Sequence, residues 1–203
     1  MSANPASLIA AIRAAAASNP TEPIFLASVP VLDIDRKRAT LMAEDRRLFN
    51  EESDDPWGHR EDRHRGDEAT QAATWANGCL GEAVIGRALR AEGDRTVKLS
   101  PPLEWVPSNE PDLVFSGTTT LPAVSLDIKS ASYHRNGRSS WTVNKGAHER
   151  AEVHGYIAAN LLDDKAEAWY YPKQYVTEHV DLLSRDSKSG KPSQFYRAFF
   201  PQR

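Results

Sequence analysis

The tightest constraint on this chain is a pair of strand-like segments that carry acids at matched positions around one turn. Leu113-Val114-Phe115 and Ala123-Val124-Ser125-Leu126 are short runs rich in strand formers. Between them, Gly117-Thr118-Thr119-Thr120-Leu121-Pro122 reads as a turn. A hairpin symmetric about Thr119 and Thr120 sets Asp112 directly opposite Asp127. Asp127 and Lys129 are two apart, so a strand turns both to the same face. Like charges facing each other across a ladder destabilise it. The arrangement calls for a cation between the carboxylates, which makes Asp112 and Asp127 candidate metal ligands.

A length of 203 residues fits one domain with a decorated end and is enough for a real core. Charged residues at 26% and hydrophobic ones at 40% suit a soluble globular protein, and no apolar run approaches bilayer length. The N-terminal Leu8-Ile9-Ala10-Ala11-Ile12 is broken by Arg13 and lacks the leading positive charge of a signal peptide. A cytoplasmic location is the resulting expectation. The single Cys79 excludes an internal disulfide and a cysteine-based zinc cage, and reads as a small buried hydrophobe. A net charge of −3 argues against a polyelectrolyte binder, but its distribution is uneven. Acids dominate 44–68. Bases collect after Asp127, in Lys129, Arg135, Arg138, Lys145 and Arg150, and in a tail with Arg185, Lys188, Lys191, Arg197 and Arg203. Such local clusters can face a polyanion, or can equally be solvated surface.

Residues 7–18 place Leu8, Ile9 and Ile12 in an alanine-rich run, which predicts a short amphipathic helix capped by Ser7 and ended by Pro20 and Pro23. Ile24-Phe25-Leu26 and 29–34 read as extended, interrupted by Pro30. Residues 36–50 read as helix and 54–65 as a charged surface loop. Residues 1–65 therefore read as an N-terminal extension, partly helical and available for oligomerisation or DNA contact, packed on a core over 66–203. That core opens with a helix over 67–91, where Trp75, Gly78, Cys79, Glu82, Ile85, Gly86 and Leu89 form one stripe. An unpaired Glu82 within that stripe would be costly. It either turns to solvent at the stripe edge or reaches the same cation as Asp112 and Asp127. Glu68 is an alternative donor, equally explained by the helix dipole.

A strand over 96–99, the segment Leu103-Glu104-Trp105-Val106 and the hairpin come next. Residues 130–146 read as a long polar loop whose Tyr133, His134, Arg135, Arg138 and Trp141 suit phosphate contact and base stacking. A second helix is expected over 147–162, with Val153, Tyr156, Ile157, Asn160 and Leu161 inward. Ala168-Trp169-Tyr170-Tyr171 reads as a strand, 181–190 as breaker-rich, and Phe195, Tyr196, Phe199 and Phe200 as a closing apolar segment. The class is α/β, in the order helix, three strands, helix, strand.

With Pro111-Asp112 before the hairpin, Asp127-Ile128-Lys129 after it and a helical glutamate upstream, residues 66–175 resemble the PD-(D/E)xK nuclease superfamily. The resemblance implies a restriction-endonuclease-like core, a central mixed sheet flanked by helices. It also implies Mg²⁺-dependent hydrolysis of DNA phosphodiesters, as in restriction, phage or mobile-element endonucleases, with Mn²⁺ able to substitute. On this reading Asp112 and Asp127 hold one or two ions, the Ile128 carbonyl adds a contact and Glu82 completes or orients the shell. Lys129 positions or deprotonates the attacking water and offsets developing charge. In-line attack leaves a 5′-phosphate and a 3′-hydroxyl. Arg135, Arg138, Lys145, His148 and Arg150 are candidate DNA contacts, and cutting both strands would favour a homodimer.

Other readings explain less. A plain salt bridge from Lys129 to Asp127 or Glu110 leaves the facing acids unexplained. A non-catalytic nucleic-acid-binding or assembly protein of the same fold has no reason to keep them. A hydrolase of small phosphoesters does not need the basic segment. Asp33-Ile34-Asp35 is more simply neutralised by Arg36, Lys37 and Arg38. His148 and His154, six apart, miss the i, i+4 spacing for one ion. There is no glycine-rich phosphate loop and no Gly-x-Ser-x-Gly elbow.

Overall fold

Every second residue is buried along the strand Val124–Ser130, the period that lets one strand serve two different surroundings. The computed structural model describes residues 7–52, 68–94, 97–99, 111–117, 122–131, 133–135, 138–186 and 192–202. The loop expected over 54–65 and the segment 103–106 lie outside the described residues. In chain order the strands are β1 (Ile24–Pro30), β2 (Val97–Leu99), β3 (Leu113–Phe115), β4 (Val124–Ser130), β5 (Tyr133–Arg135), β6 (Arg138–Asn144), β7 (Gly155–Leu161), β8 (Lys165–Pro172), β9 (Asp181–Asp186) and β10 (Pro192–Phe199). The helices are α1 (Leu8–Ala17), α2 (Asp33–Glu52), α3 (Glu68–Ala91), α4 (Lys145–Arg150) and α5 (Lys173–His179).

Among the described residues, six strands form a mixed sheet in the order β1-β8-β7-β4-β3-β2. Strands β3 and β4 pair antiparallel as Leu113↔Leu126, Val114↔Ser125 and Phe115↔Val124. One further step of that register sets Asp112 opposite Asp127, as the symmetric hairpin predicts. β4 and β7 are parallel, and the other neighbours in this sheet are antiparallel. No helix among the described residues is long and apolar enough to cross a membrane.

The first core lies between this sheet and α1, α2 and α3, and includes Ile12, Val84, Ile85, Leu113, Phe115, Leu126 and Ile157. Ser7 caps α1 by accepting from the Ala10 amide, as expected. The Glu92 carboxylate also receives the Leu8 amide at 2.7 Å. On α3, Leu80, Ala83 and Val84 are buried besides the predicted Cys79, Ile85 and Leu89. The single stripe is too narrow because α2 covers a second side of the helix.

Residues 8–45 are not an appendage on a core that begins at Gly66. β1 is a strand of the sheet, paired to β8, and Ile12 is fully buried. Extended structure stops at Pro30 rather than running to Ile34, because Asp35 starts a helix by accepting the Leu32 amide at 2.9 Å. Arg87, not Arg36, Lys37 or Arg38, neutralises that carboxylate, with Nε 2.8 Å away.

The opposite face of the sheet holds a second core with Trp141, Tyr156, Ala158, Trp169, Tyr171, Val176, Tyr196 and Phe200. It is closed by a four-stranded antiparallel sheet, β5-β6-β10-β9. The expected polar loop over 130–146 is thus mostly the β5–β6 hairpin, and the breaker-rich 181–190 begins with β9. Apolar residues at every second position, Trp141 and Val143 paired with Ala198 and Tyr196, are the strand signal there. The helix expected over 147–162 is also corrected: α4 ends at Arg150, and Tyr156 and Ile157 lie in β7. Residues 155–159 are all buried, the continuous pattern of a strand covered on both faces. Gly155 admits the close approach of β8, since a Cβ there would lie 2.5 Å from the Tyr171 carbonyl oxygen.

Candidate functional site

The alternation in β4 sends Leu126 and Ile128 into the helix-side core and turns Asp127 and Lys129 to the other face, both half-buried. There Lys129 Nζ stands 3.3 Å from Asp127 Oδ2. Asp112, just ahead of β3, accepts the Ile128 amide on Oδ2 at 2.8 Å. A backbone donor within Asp127-Ile128-Lys129 therefore anchors the opposing carboxylate. Ile128 meets Asp112 through its amide, which leaves its carbonyl available for the contact expected with an ion. Tyr156 is the residue of β7 in register with Asp127. A helix over 147–162, the expectation from sequence, hides this register; the usable signal is an aromatic directly after Gly155 in an apolar run.

The electrostatics are those of one ammonium among several acids. Burial lifts the Asp112 carboxyl from its usual 3.8 to about 6. The charges of Glu82 and Asp127 push the same way, while Lys129 and the Ile128 amide oppose them. For Lys129, burial favours the neutral amine, but Asp127, Asp112 and Glu82 outweigh it and hold the ammonium above its ordinary value. Burial raises the Tyr156 phenol, with further contributions from the Asp127 and Tyr196 charges. Glu82, half-buried on α3, acts on both Asp112 and Lys129. Among the described residues, no three His, Cys, Asp or Glu side chains are gathered so as to hold a metal ion. Glu82, the helical acid expected to complete or orient the shell, bears on Asp112 and Lys129 through its charge.

The candidate DNA contacts divide. Arg135 and Arg138 pair across the β5–β6 hairpin. Lys145 lies 3.7 Å from Glu149, and Arg150 is exposed at the end of α4. His148 is not a surface contact: it is buried, with Nδ1 2.6 Å from the Tyr156 hydroxyl and Nε2 2.8 Å from Thr177 Oγ1. Its ring stacks on Tyr156. Burial, then the Lys173 charge, lower its pKa, and Glu149 opposes them. Burial thus favours the uncharged ring, which bonds the buried Tyr156 hydroxyl on one side and the exposed Thr177 hydroxyl on the other. His154 is engaged elsewhere, accepting the Ser125 amide on Nδ1 at 3.1 Å.

No family model matches this chain, and no curated protein or solved structure matches it.

Proposed function

We propose that this chain is a Mg²⁺-dependent nuclease of the PD-(D/E)xK type that hydrolyses DNA phosphodiester bonds. The observation that carries the reading is Asp112 held on the Ile128 amide opposite Asp127, with Lys129 3.3 Å from Asp127. The element order supports it: α3, then β2, β3 and β4, then α4 and β7, with β7 parallel to β4 and the β5–β6 hairpin inserted before α4. The donor chemistry fits the ion. Mg²⁺ keeps several waters and uses only one or two carboxylates, and Asp112 and Asp127 are two hard-oxygen donors whose mutual repulsion a cation would relieve. Mn²⁺ would fit the same oxygens.

When bound, the ion supplies charge compensation and lowers the pKa of water. Asp112 and Asp127 would hold it. Lys129, kept charged by its acidic neighbours, orients the attacking water and meets negative charge developing on the phosphoryl oxygens. Glu82 adds negative potential that favours cation entry. Lys145 and Arg150 offer phosphate contacts near the second sheet, and a homodimer would supply two such centres for a double-strand cut.

The test is cleavage of plasmid DNA with Mg²⁺ by the wild type, Asp127→Ala and Lys129→Ala. Each variant is expected to lose roughly 100-fold or more in rate, the scale of a positioned proton-transfer or electrostatic group. Undiminished cleavage by both variants, or none by the wild type on any nucleic acid, overturns the proposal. Retained DNA binding without cleavage would point instead to a non-catalytic binding protein.

A further inference from the structure

Ser130 follows Lys129 in β4 but points to the opposite face, into α3. Its hydroxyl accepts the Gly81 amide at 3.0 Å and donates to the Gly78 carbonyl at 2.8 Å. In an α-helix the carbonyl of Gly78 is also the acceptor for the amide of Glu82. The hydroxyl thus grips the turn of α3 that carries Glu82, from the residue next to Lys129. Gly81 lets the two backbones come this close: a Cβ there would overlap the Ser130 hydroxyl and sit 3.0 Å from Ala159 Cβ. Mere filling of the core would need no hydroxyl, and an alanine would avoid placing a polar atom in it.

We infer that the Ser130 hydroxyl, clasped between Gly78 and Gly81, is a positioning device that sets Glu82 relative to Asp112 and Lys129 and so tunes cation affinity at this site. The inference rests on the metal-dependent reading above. Ser130 touches neither ion nor substrate; it acts through Glu82. Residues that orient a metal site without touching the ion typically change affinity 10- to 100-fold when removed.

The experiment is calorimetric titration of the full chain with Mn²⁺ alone, with no nucleic acid present. Ser130→Ala is expected to weaken Mn²⁺ binding roughly tenfold while its thermal transition stays cooperative. Glu82→Gln is expected to weaken it comparably. Adding Ser130→Ala to Glu82→Gln is expected to do nothing further, because the device has lost what it positions. Gly81→Ala, which pushes helix and strand apart without deleting a donor, reaches the same end by an independent route and is expected to weaken binding too. Wild-type affinity in both Ser130→Ala and Gly81→Ala, or a full additive loss in the double variant, overturns the positioning role while leaving the metal-dependent reading standing. No Mn²⁺ binding by the wild type overturns that reading, and the inference with it.

Discussion

Asp112 concentrates the tension in this molecule: a carboxylate with one backbone donor, one nearby ammonium and two acids pressing on it. Its folded-state pKa of about 6 lies above the ordinary 3.8, so its contribution to stability is fully present below 3.8 and is lost as pH rises through 6. Ionised Asp112 then costs on the order of 2–3 kcal/mol. Lys129 is shifted upward from 10.5 and contributes no slope in this window. Denaturant unfolding should therefore show Asp112→Asn more stable than the wild type by about 1–2 kcal/mol at pH 7.5, the loss of one partner of Lys129 trimming the gain. The difference should close at pH 4, and parallel profiles would contradict the assignment. Added Mg²⁺ should raise the melting temperature of the wild type at pH 7.5 but not that of Asp112→Asn, because only a binder of the folded state stabilises it. His148 makes the opposite prediction. Its replacement by Ala should cost about 1–3 kcal/mol, since it strands the buried Tyr156 hydroxyl. The salt dependence of DNA affinity should not change, and a shallower salt slope would restore His148 as a phosphate contact.

At the level of elements, the two glycines beside Ser130 separate packing from propensity. A Cβ at Gly78 would meet nothing within 4 Å, so Gly78→Ala should stabilise α3 by up to about 1 kcal/mol. Gly81→Ala should destabilise the protein by about 1–3 kcal/mol through overpacking against Ser130 and Ala159. Denaturant midpoints would order the two variants on either side of the wild type. The hairpin register and the α1 cap were legible because each depends on nearby residues: turn length fixes the first, a serine ahead of an apolar run the second. The segment 147–161 was not, because a short apolar run fits a buried helix or a buried strand equally well. Its environment decides, and here β4 and β8 flank it on both sides. Likewise the polar spacing of Ser139, Ser140 and Thr142 hid a strand whose Trp141 and Val143 only become core once β10 folds beside them.

For the whole molecule, the candidate site depends on two cores. The helix-side core holds Ser130 and presents Glu82, and the second core buries Tyr156 and His148 behind Asp127. Tyr156, in register with Asp127, links them through β7. Neither core ends at residue 66. Ile12, Leu26, Val29, Ala39 and Met42 belong to the first, and Phe25 packs edge-on against Trp169 with ring centroids 5.4 Å apart. Sequence reading detached 1–65 because the charged stretch after residue 50 looks like a boundary. Pairing of β1 with β8 joins residues more than a hundred positions apart, which no local pattern reveals. A fragment starting at Gly66 would therefore lose an edge strand, expose the β8 backbone and uncover the apolar faces of α3 and the sheet. Expressed alone, 66–203 should show no cooperative thermal transition and should aggregate, whereas the full chain should unfold in one step. Supplying 1–52 as a separate chain should restore cooperative unfolding if the missing surface is the cause. A soluble, cooperatively melting 66–203 fragment would mean that β1 and α1 decorate the core after all.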